Sequence, residues 1–162
     1  MRQSSFLASF VGSISALSKS GSATQYGAIC YRRLRKDGTV EVLVISSRDT
    51  RRWVIPKGWP MAGKEPHEVA QREAFEEAGV VGKAKRKPLG YFHYLKNLDD
   101  GGKSPCLVQV HVLKVNDLLD KYPERGQRIT EWVSCSEAAT RVTEPELKGL
   151  FRLLEGRLAG NE

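Results

Sequence analysis

The chain has 162 residues, of which 26 are Lys or Arg and 19 are Asp or Glu, giving a net charge of +7. With 40% hydrophobic and 28% charged residues it has the balance of one soluble globular domain with a real core, and no apolar run reaches the roughly 18 residues of a membrane span. Cys30, Cys106 and Cys135 are odd in number, far apart and without a C-x-x-C pair; they lack the ligand spacing of a structural zinc site and read as the reduced, mostly structural thiols of a cytosolic protein.

Residues 1–24 are rich in serine and glycine. Phe6, Leu7, Phe10, Val11, Ile14 and Leu17 are spaced for one short amphipathic helix. A secretory signal is the competing reading, but serines interrupt the apolar stretch and Arg2 is its one flanking charge, so a loosely attached N-terminal arm is expected. The folded domain is expected over residues 25–160. Tyr26 to Leu34 reads as a strand, Asp37-Gly38 as a turn and Val40 to Ser46 as the partner strand of a hairpin. Trp53-Val54-Ile55 is a short third run closed by Pro56.

A helix follows, with Pro66 in its first turn and Gly79 as its terminal glycine. Ala70, Ala74 and Ala78 give a narrow apolar stripe for close approach to a sheet. Phe75 is expected to extend that buried side, with the carboxylates opposite, while Val69 falls unexplained on the carboxylate side. Alternation then predicts strands over Ala84 to Leu95 and Cys106 to Val115, separated by a flexible loop from Asn97 to Ser104. Ile129 to Val133 is a short strand, Ser134 or Ser136 caps a helix through Ala139, and Glu144 to Leu158 is a final amphipathic helix. The order of strands, helix, strands and helices predicts an α+β domain with a mixed β-sheet between helical layers.

The chemistry concentrates on Arg72-Glu73-Ala74-Phe75-Glu76-Glu77-Ala78-Gly79. On a helix Glu73 and Glu77 have Cβ atoms roughly 5–6 Å apart, and Glu76 joins them on one side. Such like charges weaken an isolated helix, whereas a hard divalent cation turns the repulsion into coordination, because Mg²⁺ prefers carboxylate oxygens. Basic clusters at Arg32 to Lys36, Arg48 to Arg52 and Lys83 to Lys87 flank this acidic stretch, and the charge excess favours anionic partners.

These residues resemble the Nudix hydrolase pattern G-x5-E-x7-R-E-U-x-E-E-x-G-U, where U is apolar. Gly58, Arg72, Glu73, Ala74, Glu76, Glu77, Gly79 and Val80 fall on it, and the first glutamate is replaced by Lys64, with Glu65 beside it. The resemblance implies a Nudix-type αβα sandwich that hydrolyses a diphosphate linked to a further group. It implies Mg²⁺, with Mn²⁺ as the alternative, held by Glu73 and Glu77. Glu76 would ligate metal or orient the attacking water, and Arg72 would pair with a box glutamate. Ser46-Ser47-Arg48 and Trp53 to Gly58 look like the segment before the box in diphosphoinositol polyphosphate phosphohydrolases and enzymes acting on diadenosine polyphosphates. In the family this segment and the loop after the box touch the substrate.

Arg48, Lys57, Gly58, Lys103 and Arg128 are therefore the candidate substrate contacts, with Arg32 or Arg33 behind them; Arg suits bidentate phosphate recognition and Lys point-charge neutralisation. The expected partner is a small phosphorylated molecule. Nucleic acid is the other class the basic balance and Tyr91, Phe92 and Tyr94 raise, but no RNA-binding signature is present and the aromatics have strand spacing. A non-catalytic binding protein on the same fold would need damage to R-E-x-x-E-E, and there is none.

Overall fold

The computed structural model describes residues 23–160; the expected N-terminal helix lies outside them. Eight strands form one mixed sheet: β1 (Ala23–Arg33), β2 (Val40–Ser46), β3 (Trp53–Val54), β4 (Lys57–Gly58), β5 (Val80–Ala84), β6 (Gly90–Asn97), β7 (Lys103–Leu118) and β8 (Thr130–Val133). Among the described residues three helices accompany it: α1 (Pro66–Ala78), α2 (Cys135–Arg141) and α3 (Pro145–Ala159). The sheet runs β3-β2-β1-β7-β5, with β4 on β1, β6 on β7 and β8 on β2. Among the described strands the central β1–β7 pair alone is parallel, from Ala23 opposite Cys106 to Tyr31 opposite Lys114.

Strand alternation sorts side chains between two cores. Ile29 and Tyr31 of β1 and Val42 and Val44 of β2 face the layer of α2 and α3, joining Leu147, Phe151 and Leu154. Ala28, Cys30, Leu43 and Ile45 face the other way, onto Ala70 and Ala74 of α1. The three-layer αβα sandwich follows from that period of two. The alanine stripe lets α1 sit close to the sheet, and Ala70 and Ala74 have no exposed surface.

Helix α1 ends as the sequence requires. Gly79 takes φ 70°, and its N–H donates to the Phe75 carbonyl. Three expectations for this region are corrected. Phe75 is half-buried rather than core, lying under the Arg72 guanidinium at 5.2 Å. Val69 is fully buried, because the carboxylate side of α1 is packed into the molecule rather than turned to solvent. The single strand expected over Ala84 to Leu95 is two, β5 and β6, joined by a turn at residues 85–89, and β5 begins directly after the Gly79 cap. Elsewhere Ser134 caps α2, its Oγ accepting from the Glu137 N–H at 3.1 Å.

Candidate active site

A cleft of about 590 Å³ opens between α1, the β3–β4 segment and the end of β6. Six carboxylates line it: Asp49, Glu73, Glu76, Glu77, Glu124 and Glu144. The helix brings the box glutamates there because i, i+3 and i+4 positions share a face. Gly58 makes the approach possible: a Cβ at this position would overlap the Glu73 carboxylate and come within 2.9 Å of its Cγ. The glycine on the motif is thus a space for the Glu73 side chain.

Glu77 is the best-held member. Its Oε2 accepts from the Lys57 backbone N–H at 3.1 Å and its Oε1 from Arg128 Nη2 at 3.1 Å. Arg128 also reaches Glu124 Oε1 at 3.4 Å and the Ser46 carbonyl at 3.1 Å. Burial still pushes the Glu77 carboxyl up to about 7, Arg128 and Lys57 opposing the rise and Glu124 adding to it. Glu73 rises further, to about 8, first by burial and then by the charges of Glu77, Glu76 and Glu124. Glu76 accepts from Arg72 Nε at 2.8 Å, the pairing expected of that arginine.

The donor set fits a hard divalent cation. Four carboxylates, Glu73, Glu76, Glu77 and Glu124, face one cleft, and two of them, Glu73 and Glu77, are raised by burial and by the neighbouring carboxylates. Glu73, Glu76 and Glu77 would hold the ion, with Glu124 beside them. Glu124 escaped the sequence reading because it stands 47 positions after Glu77 in a polar turn with no motif to mark it. Its contact with Arg128 and a backbone bond from its N–H to the Glu76 carbonyl, 2.9 Å, fix it to the box.

Neither Lys64 nor Glu65 lines the cleft. Lys64 is exposed, and Glu65 starts α1, pairing with Arg86 at 2.6 Å while its N–H donates to Glu68 Oε1 at 2.9 Å. The substitution at the first box glutamate therefore leaves the carboxylate cluster intact. Glu65, His67 and Glu68 bring ligand atoms within 4.8 Å of one another, but Glu65 is taken by Arg86 and this cluster stands at the opposite end of α1 from Glu77.

The expected phosphate contacts are divided. Arg48, Lys57, Gly58 and Arg128 line the cleft, together with Arg52 and Lys96, which the sequence reading did not choose. Lys103 lines an adjoining pocket of about 470 Å³ that also borders Arg52 and Glu144. Arg32 does not line the cleft: it chelates Glu41 Oε1 at 2.9 Å and 3.0 Å and stacks on Trp132 at 4.4 Å. Arg33 donates to the Leu158 carbonyl at 3.0 Å and is likewise remote from the cleft lining.

Each cation in the cleft already has a partner. Arg48 donates to Gln127 at 3.2 Å and lies 3.7 Å from Glu124; Arg52 donates to Thr143 at 3.2 Å and lies 3.8 Å from Glu144. Lys57 and Lys96 cover aromatic faces, Tyr94 at 4.5 Å and Trp59 at 4.4 Å.

Comparison with known proteins agrees with this geometry. The NUDIX domain family model matches residues 23–154. The chain is 33% identical over 126 residues to Nudix hydrolase 12, mitochondrial, of Arabidopsis thaliana, covering 69% of this chain and 62% of that protein. It is 37% identical over 112 residues to human diphosphoinositol polyphosphate phosphohydrolase 3-alpha, covering 68% and 63%. The chain thus spans less than two thirds of the length of these relatives. Among solved structures, a Caenorhabditis elegans Ap4A hydrolase binary complex superposes with a TM-score of 0.62 at 22% identity, over 85% of this chain and 98% of that one, a likeness of fold. This chain belongs to the Nudix family.

Proposed function

We propose that the protein is a metal-dependent pyrophosphohydrolase that cleaves a diphosphate linkage in an anionic small molecule: a diadenosine polyphosphate, a diphosphoinositol polyphosphate or a related nucleotide. The observation that carries this reading is the convergence of Glu73, Glu76, Glu77 and Glu124 on one cleft, with Glu73 and Glu77 both raised, first by burial and then by neighbouring carboxylates. Mg²⁺ or Mn²⁺ bound there would polarise the phosphoryl oxygens and lower the pKa of a bound water.

The chain's own residues supply the positioning. The Lys57 N–H and Arg128 hold Glu77 from two sides, Arg72 orients Glu76, and Gly58 leaves room for Glu73. Arg48 and Lys57, which line the cleft, and Lys103 beside it would meet phosphate oxygens. Carboxylates on a helix are located more tightly than on a loop, which suits in-line attack at phosphorus.

The reading is tested by product release from diadenosine polyphosphates, nucleotide sugars and diphosphoinositol phosphates with Mg²⁺ or Mn²⁺. Turnover abolished by chelator, and reduced by about 10²-fold or more in Glu76→Gln and Glu77→Gln, is expected. No turnover on any of these substrates, or equal activity in the variants, refutes it. A cytosolic location is part of the proposal, and the three free, buried cysteines are consistent with a reducing compartment. No helix among the described residues is long and apolar enough to cross a membrane. Recovery of the protein in an organelle fraction would overturn that location.

A further inference from the structure

A second cavity, of about 360 Å³, lies between the turn at residues 85–89 and the last turns of α3. Its lining has no residue in common with the cleft. Glu144 precedes α3 and borders the cleft, whereas Arg157 stands in the last turn of α3 and borders this cavity. Along the helix they are roughly 20 Å apart, at about 1.5 Å per residue. Backbone pairing builds the cavity. The Lys85 and Leu89 N–H groups donate to the Val112 and Val110 carbonyls, each at 2.8 Å, so the turn folds back along β7 and carries Lys85 and Lys87 to the cavity. The floor is apolar, because Leu89, Val112, Leu154 and Leu158 belong to the core under α3 and are each at most 9% exposed.

The charge of this cavity is of one sign. Lys85, Lys87 and Arg157 line it, all three exposed, and no carboxylate does. Among the described residues none of the three has an ion-pair partner, whereas Arg86, between the two lysines, is held by Glu65. The end of a helix ordinarily offers an anion only carbonyl oxygens, which repel it. Here the Leu158 carbonyl accepts from Arg33 Nη2 at 3.0 Å and the Gly156 carbonyl from the Gly160 N–H at 3.2 Å, so both are taken. A merely solvated basic surface needs neither a hollow nor an apolar floor.

We propose that this cavity is a metal-independent binding site, separate from the cleft, for a small phosphomonoester with an apolar body. With no carboxylate in the lining to hold a divalent cation, the side chains themselves neutralise the anion, the reverse of the arrangement around Glu73 and Glu77. A dianionic phosphate suits two lysines as point charges and one guanidinium with paired donors. The apolar floor takes the carbon body attached to that phosphate. Such a site exists whether or not the cleft hydrolyses a diphosphate.

Phenyl phosphate is the probe, titrated into the full chain with EDTA present, so that no metal-bridged phosphate forms at Glu73, Glu76 and Glu77. Amide chemical shifts are expected to move saturably at residues 85–89 and 154–160, with weaker binding of inorganic phosphate and none of phenol. Affinity should fall about 10-fold or more in Lys87→Ala and in Arg157→Gln, and should be unchanged in Arg48→Gln at the cleft.

Lys87 and Arg157 are exposed, so both variants should melt at the wild-type temperature, and a loss of binding then reports the site and not the fold. No saturable shift at millimolar phenyl phosphate overturns the site. Shifts confined to the cleft, or binding lost in Arg48→Gln and kept in Lys87→Ala, overturn its location. Inorganic phosphate binding as tightly as phenyl phosphate overturns the role of the apolar floor.

Discussion

Gly58→Ala separates space from fold at the candidate site. Gly58 has an ordinary backbone conformation, outside the positive-φ residues, so alanine imposes no backbone strain. What the new methyl meets is Glu73: its carboxylate, and its Cγ at 2.9 Å. All the nearest atoms belong to one flexible side chain, so Glu73 yields and the backbone does not. An off-rotamer torsion costs about 0.5–1.5 kcal/mol. At about 2–4 °C per kcal/mol for a domain of this size, Tm should fall by no more than about 6 °C.

The effect on the reaction should be far larger, because a displacement of about 1 Å in a catalytic constellation costs on the order of 10²-fold. The assay is kcat/KM with Mg²⁺ beside thermal unfolding, with Glu73→Ala and the double variant measured in parallel. If the methyl acts by moving Glu73, it adds less than about threefold to the loss already made by Glu73→Ala, since coupled residues are non-additive. Activity of Gly58→Ala near wild type, or multiplicative losses in the double variant, would refute the reasoning.

Three further outcomes follow from the same contacts. Saturating Mg²⁺ should raise Tm, by about 2.7 kcal/mol of added stability at one hundred times Kd, and chelator should reverse the rise; Glu73→Gln should show little of it in the same melting experiment. Arg128→Met should destabilise by about 3–5 kcal/mol, since it leaves Glu77 buried without its guanidinium partner, and denaturant unfolding measures this. His111 is fully buried, its Nδ1 2.6 Å from the Lys85 carbonyl and its Nε2 2.8 Å from Gln109. Burial, with a smaller contribution from nearby His67, lowers its pKa below the usual 6.5 against the opposing Lys85 bond. The unfolded chain therefore takes up the proton first: the stability contributed by this histidine is present above pH 6.5 and is lost as pH falls through the native value. The wild type minus His111→Gln difference in unfolding free energy should shrink on acidification, by at most about 1.4 kcal/mol per pH unit. A flat difference between pH 7 and pH 5 would exclude the assignment.

Elements specified by their own residues were legible in the sequence. Asp37-Gly38 dictates the β1–β2 turn, and Pro66 and Gly79 delimit α1 because one needs no N–H donor and the other adopts φ 70°. A Cβ at Gly79 would also lie 2.5 Å from the Leu119 carbonyl, so the position is fixed twice. The carboxylates were legible because helical spacing alone puts Glu73, Glu76 and Glu77 on one side.

What escaped was set by distant partners. Phe75 has the composition of a core residue but sits under Arg72, which the Glu76 carboxylate holds in place. Strand β5 is five residues long and pairs with β7 rather than with a neighbour in sequence, so local alternation could not separate it from β6. Glu124 reaches the cleft through a turn, and only the fold reveals its distance from Glu76.

Charge shows the same limit in a form that bears on function. A net charge of +7 favours anionic partners, yet the cleft where such a partner would react is lined by more carboxylates than cations. The basic cluster around Arg32 and Arg33 is held by Glu41 and the Leu158 carbonyl, and Arg86 of the cluster from Lys83 to Lys87 pairs with Glu65; none of these residues lines the cleft. A distant excess of positive charge raises the rate of encounter with an anion, and is weakened by salt, without fixing which anion is held. Which anion is held is left to the cleft itself, where carboxylates whose donor set fits a divalent cation stand beside cations already in ion pairs or on aromatic rings. On the proposed reading, a bound divalent cation would bring the positive charge that a diphosphate needs and that the already engaged arginines and lysines cannot fully supply.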